Sequence, residues 1–266
     1  MKRHLTGFLL TLATFGCPAQ PNGWSVQGPV DVYTTDELGN LYVLKGNELF
    51  LYDRQGQRMA QNSLTLLGPI SSIDASASLK PMVFARDQGQ LAVLDNTLSL
   101  LGGAITLARH GSPWVGLACA GVQSRYWFYD ERDMAVVHVE KDLAPIATSG
   151  RLDQLLGFAP QPTALVEANG RVYLVDPAQG VLVFDLFATY LRTLPIQGAR
   201  QIQVRDNLIW CVAQGRLYRY DLRTFTQEEV PWPPDGTTAP VLDARLDGGR
   251  LYRRTAEGLR VDVIGK

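Results

Sequence analysis

Residues 30–59 read VDVYTTDELGNLYVLKGNELFLYDRQGQRM, and their grammar decides the fold. A short apolar strand precedes a turn at Gly39-Asn40, LYVL supplies a second strand, Gly46-Asn47 turns the chain again, and a third strand ends at Asp53. Arg54-Gln55-Gly56 then opens a fourth strand. Turn residues between apolar runs of this length specify antiparallel hairpins. The grammar recurs at residues 164–195, where Asn169-Gly170 and Gln179-Gly180 mark the hairpins, and at 202–230, with Asp206-Asn207 and Gln214-Gly215. Six related apolar strands, marked by Tyr42, Val83, Trp127, Tyr173, Ile209 and Tyr252, follow one another at intervals of 41, 44, 46, 36 and 43 residues. Four strands per unit and a period near 42 predict an all-β, six-bladed propeller of four-stranded antiparallel blades.

Composition agrees with one globular domain. The 266 residues are 46% hydrophobic, with 25 glycines and 15 prolines and no long helical periodicity. With 25 basic against 26 acidic side chains, wholesale nucleic-acid binding is not expected. Residues 1–19 read as an export signal: Lys2, Arg3 and His4 form a basic start, Leu5 to Phe15 an apolar run, and Cys17-Pro18-Ala19 a cleavage region. Cleavage after Ala19 leaves residues 20–266 as a single propeller in the periplasm or at the outer membrane. The alternative is a lipoprotein anchored through Cys17, since Gly16-Cys17 is similar to the end of a bacterial lipoprotein signal. No later segment is long and apolar enough to span a bilayer. The sixth unit supplies only three strands before Lys266, so Gly23-Trp24-Ser25-Val26-Gln27 is expected to complete it and close the ring.

Residues 39–57, GNLYVLKGNELFLYDRQGQ, resemble a blade of the NHL-type propellers, whose units carry Gly, an apolar strand, an Asn turn, a second strand and Asp-x-x-Gly. The fourth unit, GRVYLVDPAQGVLVFDLFATYLRTLP, is similar, with Phe187-Ala188 where that family usually has Gly. The layout is also similar to small envelope propellers of gliding and type 9 secreting bacteria, one of which is an accessory plug of the outer-membrane secretion channel. These resemblances imply the propeller architecture and, for the second, a protein partner in the envelope. Neither implies a particular chemistry.

Signatures of catalysis are missing: no GxSxG, HExxH, CxxC, GxxxxGK[ST] or GxGxxG occurs. No cofactor is expected. Beyond the leader only His110 and His138 occur; His138 lies in a strand and His110 in a loop. A central-metal hydrolase or lactonase is the enzymatic alternative. It would draw on Asp31, Asp36, Asp74, Glu167, Asp206 and Asp243 at the mouths of inner strands. A small-ligand or glycan sensor, which would need a concave aromatic-lined pocket, is a third possibility. Cys119 and Cys211 sit in apolar strands and are read as buried free thiols.

Two features favour a non-catalytic, protein-binding module. Residues 190–266 hold 12 basic and 9 acidic side chains, an arginine-rich arc comprising Arg216, Arg219, Arg223, Arg250, Arg253, Arg254 and Arg260. Large apolar groups also fall outside the strand pattern: Trp114, Phe187 with Tyr190 in a turn, and Trp232 in PWPPDG. Trp114, Phe187, Tyr190, Trp232, Arg250 and Arg253 are therefore the candidate partner-binding residues, while Trp127 and Trp210 are assigned to the core.

Overall fold

The computed structural model describes residues 23–76, 79–233 and 239–264. The proposed leader and Cys17 lie outside them. The first strand, β1 (Gly23–Gln27), stands apart from the chain order of the blades. Blade 1 follows as β2 (Val32–Thr35), β3 (Leu41–Lys45), β4 (Glu48–Tyr52) and β5 (Arg58–Ser63). Blade 2 holds β6 (Ser72–Asp74), β7 (Met82–Ala85), β8 (Gln90–Val93) and the two-residue β9 (Ile105–Thr106). Blade 3 holds β10 (Val115–Ala120), β11 (Tyr126–Asp130), β12 (Ala135–Val139) and β13 (Pro145–Thr148). Blade 4 comprises β14 (Ala164–Ala168), β15 (Arg171–Asp176), β16 (Gly180–Phe184) and β17 (Tyr190–Leu194). Blade 5 comprises β18 (Ile202–Arg205), β19 (Leu208–Ala213), β20 (Arg216–Asp221) and β21 (Thr226–Val230). Blade 6 has β22 (Asp243–Asp247), β23 (Arg250–Thr255) and β24 (Gly258–Val263), with β1 as its fourth strand in the order β1-β24-β23-β22.

The ring closes as the sequence implies: Trp24 pairs with Val261 and Val26 with Leu259, all antiparallel. The Trp24 ring then leans across to Tyr52 of blade 1, centroids 5.6 Å apart. Closure thus joins the first and last described strands and removes the sheet edge that blade 6 would otherwise present.

The core is six separate layers, one between each pair of neighbouring blades. Tyr42 of blade 1 packs with Ile73 and Val83 of blade 2. Phe84 meets Val115 and Phe128 of blade 3, and Trp127 meets Val172 and Leu174 of blade 4. Tyr173 meets Ile209 of blade 5, Trp210 leans on Leu251 and Ala244 of blade 6, and Tyr252 returns to Tyr33 and Leu41. These contacts correct the sequence markers at two places. Val83 and Ile209 face backward, toward the preceding blade, and the equivalent forward-facing residues are Phe84 and Trp210. The set Tyr42, Phe84, Trp127, Tyr173, Trp210 and Tyr252 is then aromatic throughout, at intervals of 42, 43, 46, 37 and 42. Period-2 alternation sends adjacent strand residues to opposite faces, so a marker displaced by one residue reports the wrong layer. Trp210 is a partial correction too, since it is only half-buried.

Turns between third and fourth strands show why the NHL-like pattern folds without its glycine. In blades 1, 2 and 4 an aspartate accepts the backbone N–H groups two and four residues on: Asp53 from Gln55 and Gln57, Asp95 from Thr97 and Ser99, Asp185 from Phe187 and Thr189. The residue between takes positive φ, and it is Gly56 in blade 1 but Leu98 (66°) and Ala188 (60°) in the others. Leu143 (70°) occupies the same place in blade 3. A left-handed leucine is unfavourable by roughly 1–2 kcal/mol, yet fully burying its side chain returns about 1.5–3 kcal/mol. Leu98 and Leu143 are 0% and 3% exposed, so burial wins.

Candidate functional site

Inner strands β2, β6, β10, β14, β18 and β22 line the axis of the ring, and the nominated carboxylates lie on or beside them. Two of these carboxylates brace blade 3 from either side. Asp74, at the end of β6, accepts the Ala120 N–H at 2.9 Å, and Glu167, on β14, accepts the Val122 N–H at 3.3 Å and the Trp127 indole N–H. Asp36 accepts the backbone N–H and side-chain amide of Asn40, both at 2.9 Å, and the Tyr42 hydroxyl at 3.3 Å. Asp31 accepts the Gly46 N–H at 2.6 Å. Asp206 serves through its backbone carbonyl, which accepts from the Asn169 side chain at 2.6 Å. Asp243 is half-buried, and loss of solvation pushes its carboxyl up against the opposing pull of Arg245 and Arg254. Among the described residues no three His, Cys, Asp or Glu side chains converge in a way that could hold a metal ion.

Trp127 and His138 stack face to face, centroids 3.9 Å apart and 7° from parallel. His138 is 3% exposed, its Nδ1 lies 3.1 Å from the Leu186 carbonyl oxygen, and its Nε2 is buried with no hydrogen-bond partner. Burial lowers its pKa below the ordinary value, with Arg125 acting in the same direction, while the Leu186 carbonyl and Glu140 oppose. An unfolded chain therefore takes up a proton that the fold refuses, and stability falls as pH drops through about 6.5. We expect the unfolding free energy of the wild type, relative to His138→Phe, to decline below that pH with a slope of up to about 1.4 kcal/mol per unit. Urea titrations between pH 5 and 8 measure it, and equal slopes in the two proteins refute it. The comparison is needed because Glu167 works the opposite way: burial raises its carboxyl, so protonating it favours the fold.

Partner-binding candidates divide sharply. Phe187, at the tip of a blade 4 turn, is 75% exposed, and Trp114, in the link from blade 2 to blade 3, is 53% exposed. Successive strands run antiparallel, so a turn between third and fourth strands and a link between blades sit on opposite faces of the ring. Phe187 and Trp114 do not share a patch. Tyr190 is not in the turn where the sequence reading put it: it starts β17, is half-buried, sets its ring edge-on to Phe184 and bonds Thr193 at 2.8 Å. Trp232 is half-buried on the seam between blades 5 and 6 and donates its indole N–H to the Gly215 carbonyl at 3.0 Å. Arg253 is corrected most plainly. Its side chain is 4% exposed and pairs with Asp262, a geometry that serves the blade and leaves nothing for a partner to touch. Arg250 is half-exposed and borders a 360 Å³ hollow with Arg205 and Trp210.

Much of the arginine arc is internally compensated, with Arg216 on Glu229, Arg219 on Glu228 and Arg260 on Asp262. His110 is exposed in a short helical turn. Cys119 and Cys211 are free and buried; burial pushes Cys211 up to about 11 and Cys119 well above its usual range, the latter aided by Asp74 and Glu167. Neither thiol is poised as a nucleophile. The sequence reading missed a larger hollow, about 570 Å³, between the outer parts of blades 4 and 5. Its walls are brought together only by the packing of two successive blades, and the one local signal is Phe225, an aromatic at a turn position that favours glycine.

No protein-family model matches the chain, and a comparison with curated proteins finds no match. Solved structures do resemble it. Virginiamycin B lyase from Staphylococcus aureus superposes with a TM-score of 0.65 at 10% identity, over 92% of this chain and 99% of that one. BamB from Moraxella catarrhalis gives 0.52 at 11% identity, over 90% and 84%. A chain of the mitotic checkpoint complex gives 0.62 at 11% identity, over the whole of both. At such identity these likenesses show the propeller fold alone.

Proposed function

We propose that the protein is a non-catalytic, exported binding module of the bacterial envelope that docks on a protein partner, as an accessory or plug subunit of an outer-membrane secretion channel. One observation carries the reading. Four of the six carboxylates that a propeller enzyme would gather at its axis, Asp31, Asp36, Asp74 and Glu167, are engaged with backbone N–H groups, while Phe187 and Trp114 project from the loops uncovered. Exposed large aromatics favour association over solvation. The structural likeness to BamB is compatible with this role and does not by itself support it.

The test separates binding from folding. Trp114→Ala and Phe187→Ala remove side chains that touch little of the core, so each should shift the melting temperature by no more than about 2 °C. Cross-linking in the native envelope should meanwhile lose at least about four-fifths of a stoichiometric adduct in one of the two variants, a factor of five being roughly 1 kcal/mol. An adduct retained by both, or no adduct with the wild type, defeats the proposal.

A further inference from the structure

The turn from β20 to β21 is built differently from those of blades 1, 2 and 4: Asp221 accepts the backbone N–H groups of Arg223 and Thr224, two and three residues on, and the left-handed residue falls four after the aspartate. Its left-handed residue is Phe225, at φ 57°. Leu98, Leu143 and Ala188, the left-handed residues one place earlier in the turns of blades 2, 3 and 4, are each almost wholly buried, which compensates the backbone. Phe225 is 50% exposed. A bulky residue in that conformation with only half its surface covered recovers less of the backbone cost, and such outliers gather at ligand sites.

Phe225 forms one wall of the 570 Å³ groove between blades 4 and 5, together with Leu191, Leu222, Arg171 and Arg192. Arg192 lies over its ring, 5.1 Å from the centroid. On the neighbouring blade 5, Arg205 pairs with Asp247, Arg216 with Glu229 and Arg219 with Glu228. Arg192 has no ion pair among the described residues, and Arg171 donates only to the Gly170 carbonyl of its own turn. Two guanidiniums thus face a groove that offers one carboxylate, Asp206. Beside them runs β17, the outer edge of blade 4, with an unpaired row of backbone groups. Three of the other outer strands are blunted: β9 is two residues long, β13 begins with Pro145, and β21 carries Glu228 and Glu229. The β17 sequence, YLRTL, has neither proline nor acid, and Leu191 is 40% exposed.

We infer that this groove receives an extended acidic–apolar peptide segment of the protein partner. The peptide pairs along β17, seats an apolar side chain against Phe225 and Leu191, and sets carboxylates on Arg171 and Arg192. A groove open along a strand edge suits a peptide better than a small ligand, which wants enclosure. The inference rests on the protein-binding reading above and deepens it by naming the partner's chemistry.

Fluorescence anisotropy with a capped, labelled hexapeptide alternating aspartate and leucine tests it on the full chain, beside a lysine-for-aspartate counterpart. Saturable binding of the acidic peptide is expected, at least tenfold tighter than the lysine peptide and weakened by salt. Arg192→Glu and Arg171→Glu should each weaken it tenfold or more. Phe225→Gly should weaken it comparably with the melting temperature unchanged or raised, because glycine relieves the backbone; a merely structural phenylalanine would lose melting temperature instead. Equal binding of the two peptides, indifference to Arg192→Glu, or equally tight binding of a lone aromatic carboxylate overturns the inference. Failure here alongside an envelope adduct that depends on Trp114 or Phe187 removes the groove and leaves the broader proposal standing.

Discussion

Trp127→Ala is expected to lower the unfolding free energy by about 3–5 kcal/mol, the range for truncating a fully buried aromatic. Trp127 is 0% exposed and packs between blades 3 and 4 against Val172 and Leu174. Three losses coincide. The layer loses its largest side chain, His138 loses the ring it stacks on, and the Glu167 carboxylate loses an indole N–H. Trp127→Phe separates them: it keeps most of the volume and removes the hydrogen bond, so about 1–3 kcal/mol of the loss should remain through the half-buried carboxylate. Trp210→Ala at the equivalent place in blade 5 should be milder, because that ring is half-buried and shielded on one side by Arg219, 5.8 Å from the centroid. Urea denaturation of the three variants measures the order. A Trp127→Ala loss below about 1.5 kcal/mol would mean that the layer collapses around the gap and that the ring is not held by its interblade packing.

Much of the architecture was legible because hairpin turns write themselves in side-chain chemistry. Asn169-Gly170 and Gln214-Gly215 adopt positive φ at both residues, the geometry that twisted two-residue turns require, and the strands follow from them. Closure was legible from arithmetic alone, since a sixth unit with three strands needs a fourth. Blades 2 and 3 were harder, and the reason is physical: Leu98 and Leu143 stand where glycine is expected, and their licence to do so is a pocket in the neighbouring blade that no local pattern reveals. The site was less legible than the fold. Exposure of Phe187 and Trp114 could be read from their lack of strand context, but the burial of Arg253 could not, because its partner Asp262 lies on the adjacent strand and the pair looks like surface charge in sequence. The groove was invisible for a similar reason. Arg192 and Phe225 are brought together only by the stacking of two blades, and Phe225 reads as an ordinary residue at the start of an outer strand until its backbone angle is known.

Gly258→Ala tests whether the ring truly depends on its own beginning. Gly258 opens β24 at φ 151°, and a Cβ there would come within 2.3 Å of the Val26 carbonyl oxygen on β1. Gly180 is its counterpart in blade 4, opening β16 at φ 111° with the Leu194 carbonyl oxygen 2.2 Å from an added Cβ. The same crowding at the same blade position says that β1 is packed as tightly as a fourth strand supplied in chain order. Overpacking and a disfavoured φ together should lower stability by about 2–4 kcal/mol in each alanine variant. The two differ in how the clash can relax. Gly180→Ala presses on β17, which is tied into the chain at both ends, so blade 4 must distort as a whole. Gly258→Ala presses on β1, which is joined to blade 6 by its pairing with β24 and runs on in the chain into blade 1, so the strain is relieved by peeling it away. Hydrogen exchange should therefore show residues 23–27 losing about tenfold or more of their protection in Gly258→Ala while keeping it in Gly180→Ala. The Trp24 ring should swing away from Tyr52 in the same variant, a change that tryptophan fluorescence follows. Equal protection of residues 23–27 in both variants would mean that the closing strand contributes little to holding the ring, and that the six interblade layers suffice without it.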